Sequence, residues 1–255
     1  MSWRALLDAS PVAQVALALM QDATGRARPF EPLVQIRPAA LSAGRVIAFW
    51  SLTAGVGVST VAALVAHRSA AAGCAAVLID HDRRAPTLAL RARNTGLTVA
   101  DALLRTGAAR DVLSRWGDVP FLPGSPKLSR TWDGPRIAEL IGQLRTPPPV
   151  VIDLGAGAEA LDADVLGAVD RLCVVVGPTV AQLQAAFCSV SLIDRSSVTG
   201  AVVIGASDDD ASRIAGRLPW PLLASVPRDP FLAADVFATR APTLKSIDAL
   251  IRAAR

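Results

Sequence analysis

Residues 45–60 read RVIAFWSLTAGVGVST, and their reading decides the fold. Residues 46–50 are continuously apolar and β-prone, as a strand buried on both faces must be. Gly55 and Gly57 then break the pattern, and from Val58 the chain runs on through VAALVAHRSAAAG as an alanine-rich helix. A strand that passes through glycines into a helix has the layout of a phosphate-binding loop. There, successive backbone N–H groups and the helix dipole form a cradle for anions. Such a loop carries a lysine directly before its Ser/Thr, and here Val58 precedes Ser59.

Outward from this stretch the chain alternates. Strand-like runs at 75–80, 119–122, 150–153, 171–176, 201–204 and 221–226 are separated by helical stretches at 98–105, 135–144, 180–194 and 211–217. Two short helices at 230–238 and 243–252 follow. The alternation predicts an α/β fold, a doubly wound and mostly parallel sheet flanked by helices. A chain of 255 residues is long enough for one large domain with its own core. That domain is expected over 45–255. Residues 1–44 form an N-terminal helical appendage and linker, with one or two helices over 3–21 and a proline-containing link, too short for a separate domain.

Composition narrows the class. Apolar residues make up 52% of the chain and the mean hydropathy is +0.41. Alanine inflates both, and no uncharged apolar run reaches the roughly 20 residues needed to span a bilayer. The N-terminal apolar run holds Asp8 and Pro11 and lacks both a strongly basic start and a small-residue cleavage site. It is therefore read as helical rather than as a signal peptide, and the chain as cytoplasmic. Cys74, Cys173 and Cys188 have no metal-like spacing and read as buried structural thiols. The net charge is +4 and nearly all of it is arginine, because Lys127 and Lys245 are the only lysines. A basic balance of this size is compatible with DNA or anionic lipid and demonstrates neither.

The loop resembles that of the ParA/MinD superfamily, KGGxGK[ST]. The signature lysine of that pattern falls on Thr53, its next glycine on Ala54 and its second lysine on Val58, while Gly55, Gly57, Ser59 and Thr60 match. Further segments resemble the family in order. LIDHDRRAPTLAL is similar to switch I, with Asp80 and Asp82 at the DxD positions, and VVIDLGAG to Walker B and switch II, with Asp153, Gly155 and Gly157. DRLCVVVGPTVAQLQAA matches another family segment, and ASVPRDP resembles the loop that packs on adenine. The resemblance implies a degenerate nucleotide site of Gly55, Val56, Gly57, Val58, Ser59, Thr60, Pro227 and Asp229. It implies Ser59 and Asp153 as magnesium ligands if the ion is retained, and Asp82 as a vestigial water-orienting residue.

The same residues admit structural readings. Gly55 and Gly57 suit a tight turn, Ser59 suits a helix N-cap, and Asp80 and Asp153 suit an ion pair with Arg83 or Arg84. His81 is expected to face solvent. Trp116, Trp132 and Trp220 are read as packing anchors. Without the two lysines, ATP or ADP with magnesium is expected to bind weakly at best, and hydrolysis to be lost. The implied role is a pseudo-ATPase scaffold for localisation or assembly, similar to the TadZ/CpaE branch that serves Tad/Flp pilus machinery. The alternative is a residual ATPase of partitioning or division-site placement with nonspecific DNA binding. Protein partners and a nucleotide-independent homodimer are expected. No direct membrane anchor is expected, because the amphipathic segment at 243–255 is short enough to serve as the domain's own last helix.

Overall fold

The computed structural model describes residues 37–105, 109–125, 133–193, 198–233 and 239–255. The chain divides into two compact units, 1–36 and 37–255. The helices expected over 3–21, and Trp132, lie outside the described residues. Residues 37–44 belong to the second unit and are fastened to the rest of it. Ala39 N–H donates to Asp248 Oδ1 (2.8 Å), Leu41 N–H to Ser69 Oγ (3.1 Å) and Gly44 N–H to the Pro147 carbonyl (2.9 Å).

The eight strands described are β1 (Val46–Ser51), β2 (Val77–Asp80), β3 (Ser114–Trp116), β4 (Val119–Leu122), β5 (Val150–Ala156), β6 (Arg171–Val176), β7 (Val198–Ile204) and β8 (Leu222–Val226). They form one sheet in the order β3-β4-β2-β5-β1-β6-β7-β8. Every neighbouring pair is parallel except β3 with β4. The α/β expectation holds. Sequence pattern alone missed β3, because three residues of an edge hairpin carry no periodicity.

The helices described are α1 (Val58–Ala71), α2 (Leu88–Arg91), α3 (Val99–Leu103), α4 (Gly134–Leu144), α5 (Ala163–Gly167), α6 (Val180–Ser189), α7 (Asp208–Ala215) and α8 (Ala241–Ala253). The expected helix at 230–238 is a 3₁₀ turn over Pro230–Ala233, and residues 234–238 lie outside the description. The central strand shows how the two layers are fed. Ile47 and Phe49 pack with α1 and α8, while Val46, Ala48 and Trp50 pack with α4 and α5. Phe49 and Trp50 are fully buried, and burial of side chains that size stabilises by roughly 1.5–3 kcal/mol each. Trp50 Nε1 donates to the Gly157 carbonyl (2.9 Å), so its polar atom is satisfied too.

Helix α1 is buried almost all round by Val58, Val61, Ala62, Ala63, Leu64, Val65 and Ala66, and its alanines let it lie close on β1 and β5. Helix α8 buries Ile247, Leu250 and Ile251 in the same layer. The apolar face of the amphipathic segment is thus spent on the core. Of the cysteines, Cys173 is buried and burial raises its thiol to about 12. Cys188 is exposed and Cys74 half-buried, which corrects the expectation of three buried thiols.

Candidate functional site

Strand β1 lies between β5 and β6, and the chain reverses its direction of winding there, so a crevice opens beyond the carboxyl ends of these strands. The 55–57 turn sits at its mouth. Gly55 has φ +78° and Gly57 has φ +111°, a region that side chains with a Cβ rarely enter. Gly57 is itself the N-cap of α1, which removes the N-cap reading for Ser59. A cavity of about 590 Å³ runs from the turn along α1. Gly55, Val56, Gly57 and Thr60 line one end, and Leu64, Ile204, Val226 and Leu232 form an apolar wall. Pro227, Arg228 and Asp229 complete it. The expected site residues Gly55, Val56, Gly57, Thr60, Pro227 and Asp229 are thereby brought together.

Val58 and Ser59 are not in that wall. Val58 is 6% exposed and belongs to the core layer of α1, so its methyls face the protein interior rather than a phosphate. Ser59 faces Asp153 on the other side of the turn and holds down that carboxyl's pKa. Asp229 Oδ2 accepts from Arg240 N–H (2.9 Å) and Thr243 Oγ1–H (3.1 Å), which moors the start of α8 to the cavity wall.

Beside the cavity stands a group of carboxylates. Asp80 and Asp153 are register partners on β2 and β5, and both are fully buried. Asp80 accepts from Leu88 N–H (3.1 Å), and Asp153 Oδ1 accepts from Gly155 N–H (2.9 Å). Asp153 Oδ2 is buried with no hydrogen-bond donor reaching it among the described residues. Burial first, and then the charge of Asp153, raise Asp80 well above the usual carboxylate range. Burial also raises Asp153, to about 6, against the opposing effects of Ser59 and the Gly155 amide. Asp82 packs over Gly155, where φ is +69° and a Cβ would run into its carboxyl group. Its Oδ1 accepts from Arg84 N–H (2.8 Å) and Ala85 N–H (3.0 Å).

Both arginines expected near this group meet Glu159. Arg83 donates to the Glu159 carbonyl (2.7 Å) and Arg84 pairs with the Glu159 carboxylate. The arginine that reaches both the cavity and the field of Asp153 is Arg91, from α2. Its Nη1 donates to Thr60 Oγ1 (3.0 Å) and its Nη2 to the Leu232 carbonyl (2.7 Å). Sequence reading missed it because α2 is a four-residue helix, and only the folded chain carries it across to α1. His81 is fully buried, not solvent-facing, and burial lowers it to about 4. Trp116 and Trp220 are buried as packing residues.

The titrating groups pull in opposite directions. His81 binds its proton less readily in the folded chain (about 4) than unfolded (6.5), so its contribution to stability is lost as pH falls below the unfolded value. Asp153 binds its proton more readily folded (about 6) than unfolded (3.8), so protonating it favours the fold over that lower window. Replacing Asp153 by asparagine should raise the melting temperature at pH 7.5 without divalent cations, by about 1–3 kcal/mol in stability. The same variant should lose stability more steeply than the parent between pH 6 and 4. Melting curves across pH check this, and parallel profiles for parent and variant would remove the assigned cause.

Fold and turn together define a doubly wound α/β protein with a P-loop NTPase-like fold. No family model and no curated protein sequence matches the chain. Solved structures do, among them several of MinD and ParA type. MinD of Pyrococcus horikoshii OT3 with Mg-ADP superposes with a TM-score of 0.68 at 18% identity, over 81% of this chain and 94% of that one. A ParA family ATPase from Chlorobium tepidum TLS gives 0.68 at 19%, over 84% and 98%. A chain of the MinC:MinD cell division protein complex of Aquifex aeolicus gives 0.67 at 18%, over 82% and 94%. The chain therefore has the MinD/ParA fold.

Proposed function

We propose that this chain is a MinD/ParA-type pseudo-ATPase that acts as a localisation or assembly scaffold through protein partners. The observation that carries the reading is Val58, which is folded into the core where a phosphate-loop lysine would present its charge. With Thr53 at the other cationic position, nothing from the loop itself neutralises a leaving phosphate. Loss of one such donor in other enzymes costs about 100- to 1000-fold in rate. Ser59 and Asp153 suit a magnesium ion, since a hydroxyl faces a buried carboxylate whose Oδ2 lacks a donor. The ion would neutralise phosphate charge there, with Asp82 left to orient water from its perch on Gly155.

Partners have apolar surface to use. Leu90 (78% exposed), Val180 (83%) and Phe187 (49%) stand out on helices around the crevice, which suits a second copy or another protein. A homodimer formed this way does not depend on nucleotide. Service to a Tad/Flp-type pilus or secretion machine rests on the sequence resemblance to the TadZ/CpaE branch. The competing reading, a residual ATPase in partitioning, is favoured by one observation, the Arg91 guanidinium inside the cavity.

Phosphate release with Mg·ATP is expected to equal that of a buffer control. Saturable turnover abolished by Asp82→Ala would replace the scaffold reading with the enzyme reading. Light scattering should give one oligomeric state with and without Mg·ATP. A nucleotide-driven step from monomer to dimer would count against the platform.

A further inference from the structure

Helix α6 lies on its layer by one narrow side. Ala186 and Ser189 are its buried residues, and Leu183 packs against the layer from a half-buried position. The outer side presents Val180, Gln184 and Phe187, spaced by four and three residues, which is the seam spacing of packed helices. All three are exposed, and Ala181 and Cys188 flank them with small side chains that let another backbone come close. The helix contains no charged residue, whereas a helix that faces water ordinarily has a charged outer side.

Helix α7 runs beside it. Each of the two joins a pair of parallel strands, β6 to β7 and β7 to β8, so they point the same way. A groove of about 590 Å³ lies between them, with Leu183, Phe187 and Ile214 among its walls. Helix α7 opens on Asp208, Asp209 and Asp210 and ends near Arg213 and Arg217. The uncharged seam of α6 is therefore flanked by acid at its N-terminal end and by base at its C-terminal end.

We infer that α6 is the centre of a two-fold dimer of this chain, lying antiparallel on α6 of a second copy with Gln184 facing its own counterpart. This rests on the protein-platform reading above and names the partner and the face. Self-complementarity carries it. Turning a copy by half a revolution brings the acidic end of each α7 alongside the basic end of the other. It also opposes the N-terminus of each α6 to the C-terminus of its mate, so charges and helix dipoles both attract. The same rotation sets Phe187 against Ala181 and Cys188 against Val180, large against small each time. A chain of net charge +4 repels its own copy on average, and an uncharged seam avoids that cost. The amide of Gln184 both donates and accepts, so it can pair with itself, and one polar group within an apolar seam fixes the register.

Sedimentation of the full chain without nucleotide tests this, with Gln184→Glu and Gln184→Lys as variants. The parent should be a dimer at micromolar concentration. On a two-fold axis each variant sets like charges face to face, so each should raise the dimer dissociation constant by about tenfold or more. An equal mixture of the two variants should restore the dimer, because carboxylate then meets ammonium across the axis. Gln184 is exposed within a helix, so both variants should fold, and melting curves control for that. Variants that dissociate alone and stay apart when mixed would overturn the two-fold arrangement. A dimer indifferent to both charges would overturn the inference and leave a nucleotide-independent dimer standing. A monomeric parent would also overturn it, leaving the face to another protein and the platform reading intact. ATP turnover would instead sink the platform reading alone.

Discussion

Trp50→Ala is expected to be the most damaging single substitution in the central strand, costing about 3–5 kcal/mol. The side chain is wholly buried in the layer beneath α4 and α5, so truncation leaves a void among side chains that cannot collapse without bending β1. It also deprives the Gly157 carbonyl of its indole donor. Gly157 has φ +102°, so the loop after β5 would lose a tether at a backbone position few residues can adopt. Denaturant unfolding measures the cost. A loss under about 1 kcal/mol would mean that the neighbouring helices close the void. Trp50→Phe separates the two contributions, since it keeps most of the volume and removes only the N–H.

Asp248→Ala should cost a similar amount, about 3–5 kcal/mol, because it breaks a buried charge pair from one side. Asp248 is fully buried. Its oxygens accept from Arg68 Nε (2.8 Å) and Nη2 (2.7 Å), and from the Ala39 amide. Removing the carboxylate leaves a guanidinium whose side chain is only 12% exposed, together with an unmatched backbone N–H. The double variant Asp248→Leu with Arg68→Met should recover much of the stability, since an apolar pair of similar volume carries no stranded charge. A double variant no more stable than the single one would show that the arm's amide, not the charge, dominates.

The sheet was legible in the sequence because its strands are buried on both faces. Runs such as VVID at 150–153 and LCVVV at 172–176 need no alternation to be recognised when glycine, proline or aspartate bounds them. What escaped were pieces whose shape is set by neighbours: the β3 edge strand, the four-residue α2, and the α5 turn at Ala163–Gly167. The glycine turn and its two cavity residues after β8 were found because backbone conformation is written in residue type. Arg91 was not, because its relevance depends on α2 crossing to α1, a distance in space with no counterpart in spacing. His81 was misplaced for a related reason. Alternation beside two aspartates suggests a solvent-facing loop, whereas the parallel pairing with β5 extends past Asp80, and His81 N–H still donates to the Asp153 carbonyl (2.8 Å).

The winding of the sheet also sets an order of events during synthesis. β1 finds its partners only in β5 and β6, so an apolar hexapeptide leaves the ribosome about a hundred residues before anything can pair with it. At ribosomal speeds that interval is roughly 5–20 s. Meanwhile α1 can coil locally, but Arg68 and the Ala39 amide wait still longer for Asp248. The nascent chain is thus held open until its far end arrives, and its exposed central strand is a natural client for chaperones that shield apolar β segments.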